Sequence, residues 1–394
     1  MRIGIAKETS ANETRVALTP ENISRLSGSG ATFAVESGAG LAAGFNDQDY
    51  RDAGAEIHPS AEDIYRQSDI LVRVNLSGVM LKQTSAALQN KQLMIGLMDP
   101  LAEPERFTAL AEQGVSSIAM ELIPRISRAQ SMDVLSSMAT LAGYKAVLLA
   151  ASASQRIYPM MMTAAGNLSP ARVFIMGAGV AGLQAAATAK RMGAVVEAYD
   201  VRPAAREQII SVGAKPVELA LEANTTEDQG GYAREQDEAF LQRQRALMTE
   251  VLSQQDIVIT TAAIPGAKSP VLITAEMVRQ MKRGAVIIDL ASERGGNCEL
   301  TQHGKEIVAG GVTIIGPDNI TSTVAHHASQ MYGNNIENLL NHILNDQGNY
   351  ELNFDDEIIQ ASVVTHAGDI VSNLVRERMN LPLQARESVL KEVA

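Results

Sequence analysis

Three glycines stand in the spacing G-x-G-x-x-G, in the run Gly177-Ala178-Gly179-Val180-Ala181-Gly182. That spacing can hold a pyrophosphate. The first glycine permits a tight turn, the second lets backbone amides approach phosphate, and the third lets a helix pack on the strand before it. The helix that follows points the positive end of its dipole at the anion, and Val180 within the fingerprint is a further cofactor-binding candidate. Asp200 follows at close to the ~20 residues expected for a carboxylate on the adenosine ribose. A carboxylate there accepts from the 2′-hydroxyl of NAD and repels the 2′-phosphate of NADP, so the pattern favours NAD. Arg202 can meet a phosphate, stack on adenine or pair with solvent.

Such a site needs particular elements around it. Arg172–Met176 reads as a buried strand, Leu183–Met192 as an alanine-rich helix and Val195–Tyr199 as a second strand. Strand, turn, helix, strand and acid in that order distinguish a dinucleotide fold from a glycine-rich turn without a ligand. Asp256–Thr260, Ala285–Asp289 and Val312–Ile315 continue a parallel sheet. Upstream, Arg2–Ile5, Thr32–Val35, Ile70–Val74, Leu93–Leu97 and Ser117–Met120 read as strands, with a helix starting after Pro20 and no complete glycine fingerprint. A long helix spans Asp133 to about Arg156, its apolar stripe formed by Leu135, Met138, Ala142, Ala146 and Leu149.

The expected fold is therefore α/β, with two Rossmann-like doubly wound domains joined by a long helix and the fingerprint in the second. The expected domains are residues 1–132, completed by about 329–394, and residues 133–328. A helix from Met331 to about Leu344 leads back to the first domain, and the tail from Asn345 has no assigned place.

Composition narrows the function. The chain has 394 residues, a net charge of −12, one cysteine and no tryptophan. The acidic balance argues against nucleic acid as a partner. Cys298 permits no internal disulfide and reads as a small core residue. Met1-Arg-Ile-Gly-Ile5 is a strand rather than a signal peptide, and no apolar run reaches the ~18 residues of a membrane span. His326 and His327 are adjacent rather than i, i+4, so no metal site is expected. The polar stretch at about 221–237, with Gly230, Gly231 and Tyr232, reads as a mobile surface loop, either a lid or a solvated insertion. Asp355, Asp356 and Glu357 read as a solvated acidic turn.

Several stretches together resemble one family. Glu13-Thr-Arg-Val-Ala17 with Thr19-Pro20, then Glu36-Ser-Gly-Ala-Gly40, resemble the opening of the alanine dehydrogenase and nicotinamide nucleotide transhydrogenase group. Pro124-Arg-Ile-Ser-Arg-Ala-Gln-Ser-Met-Asp-Val-Leu-Ser-Ser137 resembles the nucleotide-contacting loop in the NAD(H)-binding domain of proton-translocating transhydrogenase. Gly230–Ala233 is similar to that family's mobile loop. Thr260–Gly266, Asp289–Ala291 and Gly295–Cys298 are similar to the ends of its later strands. The resemblance covers nearly the whole chain and thins after about residue 345.

The resemblance implies that Arg125, Asp133 and Ser136 hold the nicotinamide end of NAD(H), with Tyr232 and Gly266 as further contacts. It implies that Gln130, at the loop apex, touches the NADP(H) bound by a partner, so that Arg125, Gln130 and Asp133 serve the reaction. Chemically this is coherent, because a neutral carboxamide offers one acceptor and two donors to an arginine, a carboxylate and a hydroxyl. Arg125, Arg128 and Asp133 also read as surface ion pairs near a helix start, and Asp133 as a negative charge in its first turn. The implied assembly is a homodimer docked on an NADP-binding component and a membrane-spanning subunit. It would lie in the cytoplasm, peripheral to the inner membrane. Whether the chain is a whole subunit or a domain of a longer one stays open.

The two branches of the family do different chemistry. Reduction of an imine needs a substrate anchor and a proton-handling group. Alanine dehydrogenases place a histidine in the region of Leu97–Pro100 and a lysine near Asn75. This chain has no histidine between His58 and His303, and it carries Asn75 itself. Arg15 remains, as an anion anchor or a structural residue. Hydride transfer between two nicotinamide rings needs no acid at the reacting carbons, only rings held in contact. The leading expectation is NAD(H) binding and hydride transfer between NADH and NADP+, coupled through the complex to proton translocation. The alternatives are an alanine dehydrogenase-like amino-acid or oxo-acid dehydrogenase and a non-catalytic NAD-binding module. Glu293 stands where the dehydrogenases carry an aspartate and reads as a polar lining residue. Gly316–Thr323 departs from the family's proline-rich turn.

Overall fold

The computed structural model describes residues 1–76, 87–218, 238–264, 266–345 and 347–384. It divides into two compact units, one formed by Met1–Met138 with the chain from Thr321 onward, the other by Ala139–Ile320.

The first unit is built on an eight-stranded sheet. Its strands, numbered in chain order, are β1 (Arg2–Ile5), β2 (Thr32–Glu36), β3 (Glu56–His58), β4 (Ile70–Asn75), β5 (Leu93–Leu97), β6 (Ser116–Ala119), β16 (Val363–His366) and β17 (Asp369–Ile370). The order across the sheet is β17-β16-β6-β5-β4-β1-β2-β3. The six N-terminal strands are parallel and follow the doubly wound order 3-2-1-4-5-6. Residues 70–74 of β4 are all buried, as expected of a parallel strand covered on both faces. The helix Pro20–Leu26 starts with its proline at the first position, capped by Thr19 in a box with Asn22. The tail unplaced by sequence supplies β16, antiparallel to β6, with Thr365 Oγ1 against Ser117 Oγ at 2.8 Å. Val363-Val-Thr-His366 is rich in β-branched residues but too short to identify a strand by itself. Its partner lies some 250 positions away.

The second unit holds a seven-stranded sheet. Its parallel strands are β9 (Arg172–Met176), β10 (Val195–Tyr199), β11 (Lys215–Pro216), β12 (Ile257–Thr260), β13 (Val286–Asp289) and β15 (Val312–Gly316). An antiparallel edge strand, β14 (Lys305–Ala309), closes one side. The order across the sheet is β11-β10-β9-β12-β13-β15-β14, in which the parallel strands again run 3-2-1-4-5-6. A separate two-stranded hairpin pairs β7 (Met161–Thr163) with β8 (Gly166–Leu168). Ala185, Ala186 and Ala189 pack the helix Val180–Arg191 against Val173, Ile175 and Val196, where small side chains allow close approach of helix to sheet.

The long helix runs Val134–Ala153. Contrary to the expectation that no segment meets the limits of a membrane span, this one does by length and composition, with mean hydropathy 1.5. Ser136, Ser137, Thr140, Gly143 and Lys145 interrupt the apolar run and hide it from a count of consecutive residues. Ala146, Val147 and Ala150 are fully buried in the second unit's core. A Cβ on Gly143 would lie 2.1 Å from the Ala181 carbonyl oxygen, so only glycine lets this helix pass the start of Val180–Arg191.

Candidate functional site

The fingerprint turn leaves the end of β9. Gly177 adopts φ +101°, and a Cβ there would meet Thr261 Oγ1 at 2.6 Å. Its amide donates to the Tyr199 carbonyl of β10 at 2.9 Å, and its carbonyl accepts from Thr261 Oγ1, just past β12, at 3.0 Å. The turn thus sits between β10 and β12, at the switch point where open α/β sheets receive ligands. A Cβ on Gly182 would fall 1.8 Å from the Gly177 carbonyl oxygen.

Gly179 is different. A Cβ there would meet nothing within 4 Å. Gly179 and Val180 are exposed, and Gly179 caps the 12-residue helix with no side-chain hydrogen bond. The helix therefore presents uncapped amides and its positive dipole end to solvent, which fits a pyrophosphate.

Asp200 is already engaged. Oδ2 accepts from Ala178 N at 2.7 Å and Arg202 Nη2 at 3.0 Å. Oδ1 accepts from Arg202 N and Nε, each at 2.9 Å. Burial alone would raise its pKa, but the Arg202 guanidinium and the two amides outweigh this and hold the carboxyl below its usual range. Four donors occupy its four lone-pair directions.

Two residues that sequence reasoning missed shape the neighbouring loops. Asp289, fully buried at the end of β13, accepts from Thr260 Oγ1 (2.9 Å), Thr301 Oγ1 (2.6 Å) and the amides of Ala291 (3.1 Å), Asn297 (2.8 Å) and Cys298 (2.9 Å). Asn297 donates to the carbonyls of Ala262 and Pro270 and accepts from Ala262 N. A lone carboxylate closing an otherwise apolar strand was the available signal. Gly266, at φ +64°, belongs to the loop these residues brace. Cys298 is fully buried, and burial raises its thiol pKa, as a core role requires. Glu293 lies exposed in a short turn. Tyr232 and the stretch 221–237 lie outside the described residues.

In the first unit, Arg125, Gln130, Asp133 and Ser136 share one loop and the helix start that follows it. Asp133 caps the long helix, accepting from Ser136 N at 2.9 Å and Ser136 Oγ at 2.6 Å. Ser127–Met132 form a turn of 3₁₀ helix, anchored by buried Ala129 and Met132. Gln130 is exposed, and its side chain holds no hydrogen bond among the described residues. Arg125 is exposed beside Pro124. Asn335 Nδ2 donates to the Ser131 carbonyl at 2.8 Å. The acidic turn expected to be solvated is instead a partner of this loop. Arg128 forks onto Asp356 at 2.6 and 3.1 Å, with Glu357 at 3.2 Å beyond it.

The same unit buries two ion pairs. Glu13 takes the Arg15 fork, with Nε to Oε1 at 2.7 Å and Nη2 to Oε2 at 2.6 Å, and Ser322 Oγ donates to Oε1 as well. Glu8 pairs with Arg73 and accepts the Val74 amide at 2.7 Å. Glu121, past β6, accepts the amides of Met98 and Asp99 through Oε1, while buried Oε2 has no partner among the described residues.

Comparison with known proteins joins these features to a family. Residues 4–142 match the model described as "Alanine dehydrogenase/PNT, N-terminal domain", and residues 146–373 match "Alanine dehydrogenase/PNT, C-terminal domain". The chain is 45% identical over 375 residues to the first of the polypeptides that make up the NAD(P) transhydrogenase alpha subunit of Rhodospirillum rubrum, covering 94% of this chain and 98% of that protein. Its identity to the alanine dehydrogenase of Bacillus subtilis is 30% over 306 residues, covering 77% of this chain and 74% of that one. The solved structure of transhydrogenase from Sinorhizobium meliloti superposes with a TM-score of 0.82 at 42% identity, over 94% of this chain and 99% of that chain. With both halves matched and the fingerprint turn and loop in place, the chain belongs to the alanine dehydrogenase/PNT family of oxidoreductases.

Proposed function

We propose that this chain is the NAD(H)-binding component of a proton-translocating NAD(P) transhydrogenase. Bound NADH supplies a hydride for NADP+ held by a partner component. The observation that carries this reading lies at the ends of β4 and β5, where Asn75 and Leu97-Met-Asp-Pro100 stand in place of the lysine and histidine of the dehydrogenases, the groups that would handle protons there. Arg15, in the opening shared by both branches, is held by Glu13 in a buried pair. Meanwhile the fingerprint turn keeps an open, uncapped helix start.

In this reading the chain's residues bind and orient. Amides at Gly179 and Val180 receive the pyrophosphate, and Asp200 exchanges an Arg202 bond for the ribose. Arg125, Asp133 and Ser136 fix the rotation of the nicotinamide ring, with Asp133 sharing its oxygens between Ser136 and the carboxamide. Gln130 faces the second nucleotide. A homodimer is supported by the β7–β8 hairpin, which exposes Met160, Met161, Met162 and Leu168 together. The wider assembly adds an NADP-binding component and a membrane-spanning subunit, with this chain at the cytoplasmic face of the inner membrane.

The test is a coupled assay. The chain is mixed with the NADP-binding component of a transhydrogenase, and hydride transfer from NADH to an NADP analogue is followed. Turnover supports the proposal. Turnover instead with pyruvate, ammonia and NADH overturns it in favour of a dehydrogenase.

A further inference from the structure

We infer that Arg128, held by Asp356 and Glu357, is a positioning residue that sets the pose of the loop bearing Gln130. The inference rests on the transhydrogenase reading above for its consequence on rate, though not for its geometry.

The loop has little of its own to hold it. Ser127–Met132 is a short 3₁₀ helix without a side-chain cap, closed by Ala129 N to Ile126 O at 3.0 Å and Asp133 N to Gln130 O at 3.3 Å. Such helices have poor hydrogen-bond geometry and persist only in short pieces. Besides buried Ala129 and Met132, two polar contacts from other elements secure this one. Asn335 holds the Ser131 carbonyl, and Arg128 reaches the start of the helix Glu357–Ser362. At about three residues per turn, Arg128 and Gln130 project in different directions. One side of the loop is thereby fastened while Gln130 stays exposed.

The acceptor is fixed before the arginine arrives. Asp356 caps its helix through Ile358 N at 2.8 Å and contacts His342 Nε2 at 2.8 Å. Arg128 Nη1 and Nη2 then meet Asp356 Oδ2 and Oδ1 side by side, the fork geometry that makes arginine pairs directional. The side chain of Arg128 is half exposed, and an isolated pair so exposed adds little to stability. Its contribution is orientation. Nucleotide-to-nucleotide transfer is sensitive to that, since displacement of a reacting ring by ~1 Å can cost ~100-fold in rate.

The test compares Arg128→Ala, Arg128→Lys and Asp356→Asn in the full chain with the double variant Arg128→Ala/Asp356→Asn. Asparagine still caps the helix at 356 but loses the charged fork. Three quantities are read: NADH affinity, hydride-transfer rate with the NADP-binding component, and amide hydrogen exchange across residues 126–133. The expected result is NADH affinity within about 2-fold of wild type and a transfer rate lowered about 5-fold in Arg128→Ala and Asp356→Asn. Exchange across 126–133 should be faster in both. Arg128→Lys should recover some of the rate, and the double variant should be no slower than either single one. Unchanged rate and exchange would overturn the inference, as would affinity and rate falling in equal proportion. If wild type itself transfers no hydride, the transhydrogenase reading fails, and the exchange measurement alone decides whether Arg128 fixes the loop.

Discussion

At the scale of single residues, the three fingerprint glycines differ in what they forbid. Gly182 and Gly177 are glycines because protein atoms crowd them, whereas Gly179 faces open space. Gly179→Ala should therefore leave the melting temperature nearly unchanged and weaken NADH binding, since the new methyl can clash only with ligand. Equilibrium dialysis checks this, and wild-type affinity would remove the turn as the pyrophosphate site. Asp200→Ala should raise NADPH affinity relative to NADH by removing an acceptor and a repelling charge, and it frees Arg202 to meet a 2′-phosphate. An unchanged ratio would show that another residue selects. The glycines and Asp200 were legible because their spacing along the chain carries their role. The four donors on Asp200 were only partly so, since Ala178 reaches it from across the turn. Glu121 was not legible at all. Its burial raises the carboxyl to about 7, against the pull of the Met98 and Asp99 amides. The unfolded value lies near ~4.3, so between about pH 4.5 and 7 the folded state keeps a proton that the unfolded state has lost. Stability should fall as pH rises through that window and level off above it, by at most about 4 kcal/mol. Glu121→Gln keeps the oxygen that accepts both amides and should flatten this dependence. Urea unfolding at pH 5 and pH 8 measures it, and equal losses in both proteins would show that Glu121 does not titrate.

At the scale of elements, the buried parallel strands were read to within a residue or so, because each is a short apolar run bounded by turn residues. What escaped were strands without a buried apolar run: β3, β11 and β17, of two or three residues each, β14, exposed along most of its length, and β16, whose partner β6 lies far away in the chain. The fingerprint helix starts three residues before its alanine-rich stretch, at Val180, because the glycine turn is itself the cap. The hairpin β7–β8 also escaped, since Met161-Met162-Thr163 shows no alternation. Both its strands are exposed along their length, and Met162 is 75% exposed. Two strands alone are marginal in water, so the hairpin is expected to be covered by a second copy of the chain. Met162→Glu should shift sedimentation equilibrium towards monomer. A dimer as tight as wild type would place the interface elsewhere.

At the scale of the whole molecule, the α/β class and the family were legible, and the reason is the same for both. Each half repeats one strand order, and the residues that build its turns lie at the strand ends. The partner-held pairs of the first unit, such as Arg15 with Glu13, could not be read, because sequence neighbours facing each other and facing a ligand look alike. One buried detail has a practical consequence. Cys298 is the chain's single cysteine, enclosed by the loops that Asp289 gathers, and its thiol is kept protonated. A maleimide dye should leave the native protein unmarked and attach once, at position 130, in Gln130→Cys. Mass spectrometry under native conditions would reveal the alternative, a label on Cys298. Because the chain also lacks tryptophan, that dye and the nicotinamide of NADH would report free of indole emission. The loop apex could then be followed by energy transfer from bound coenzyme with that single substitution, without first removing a native cysteine or tryptophan.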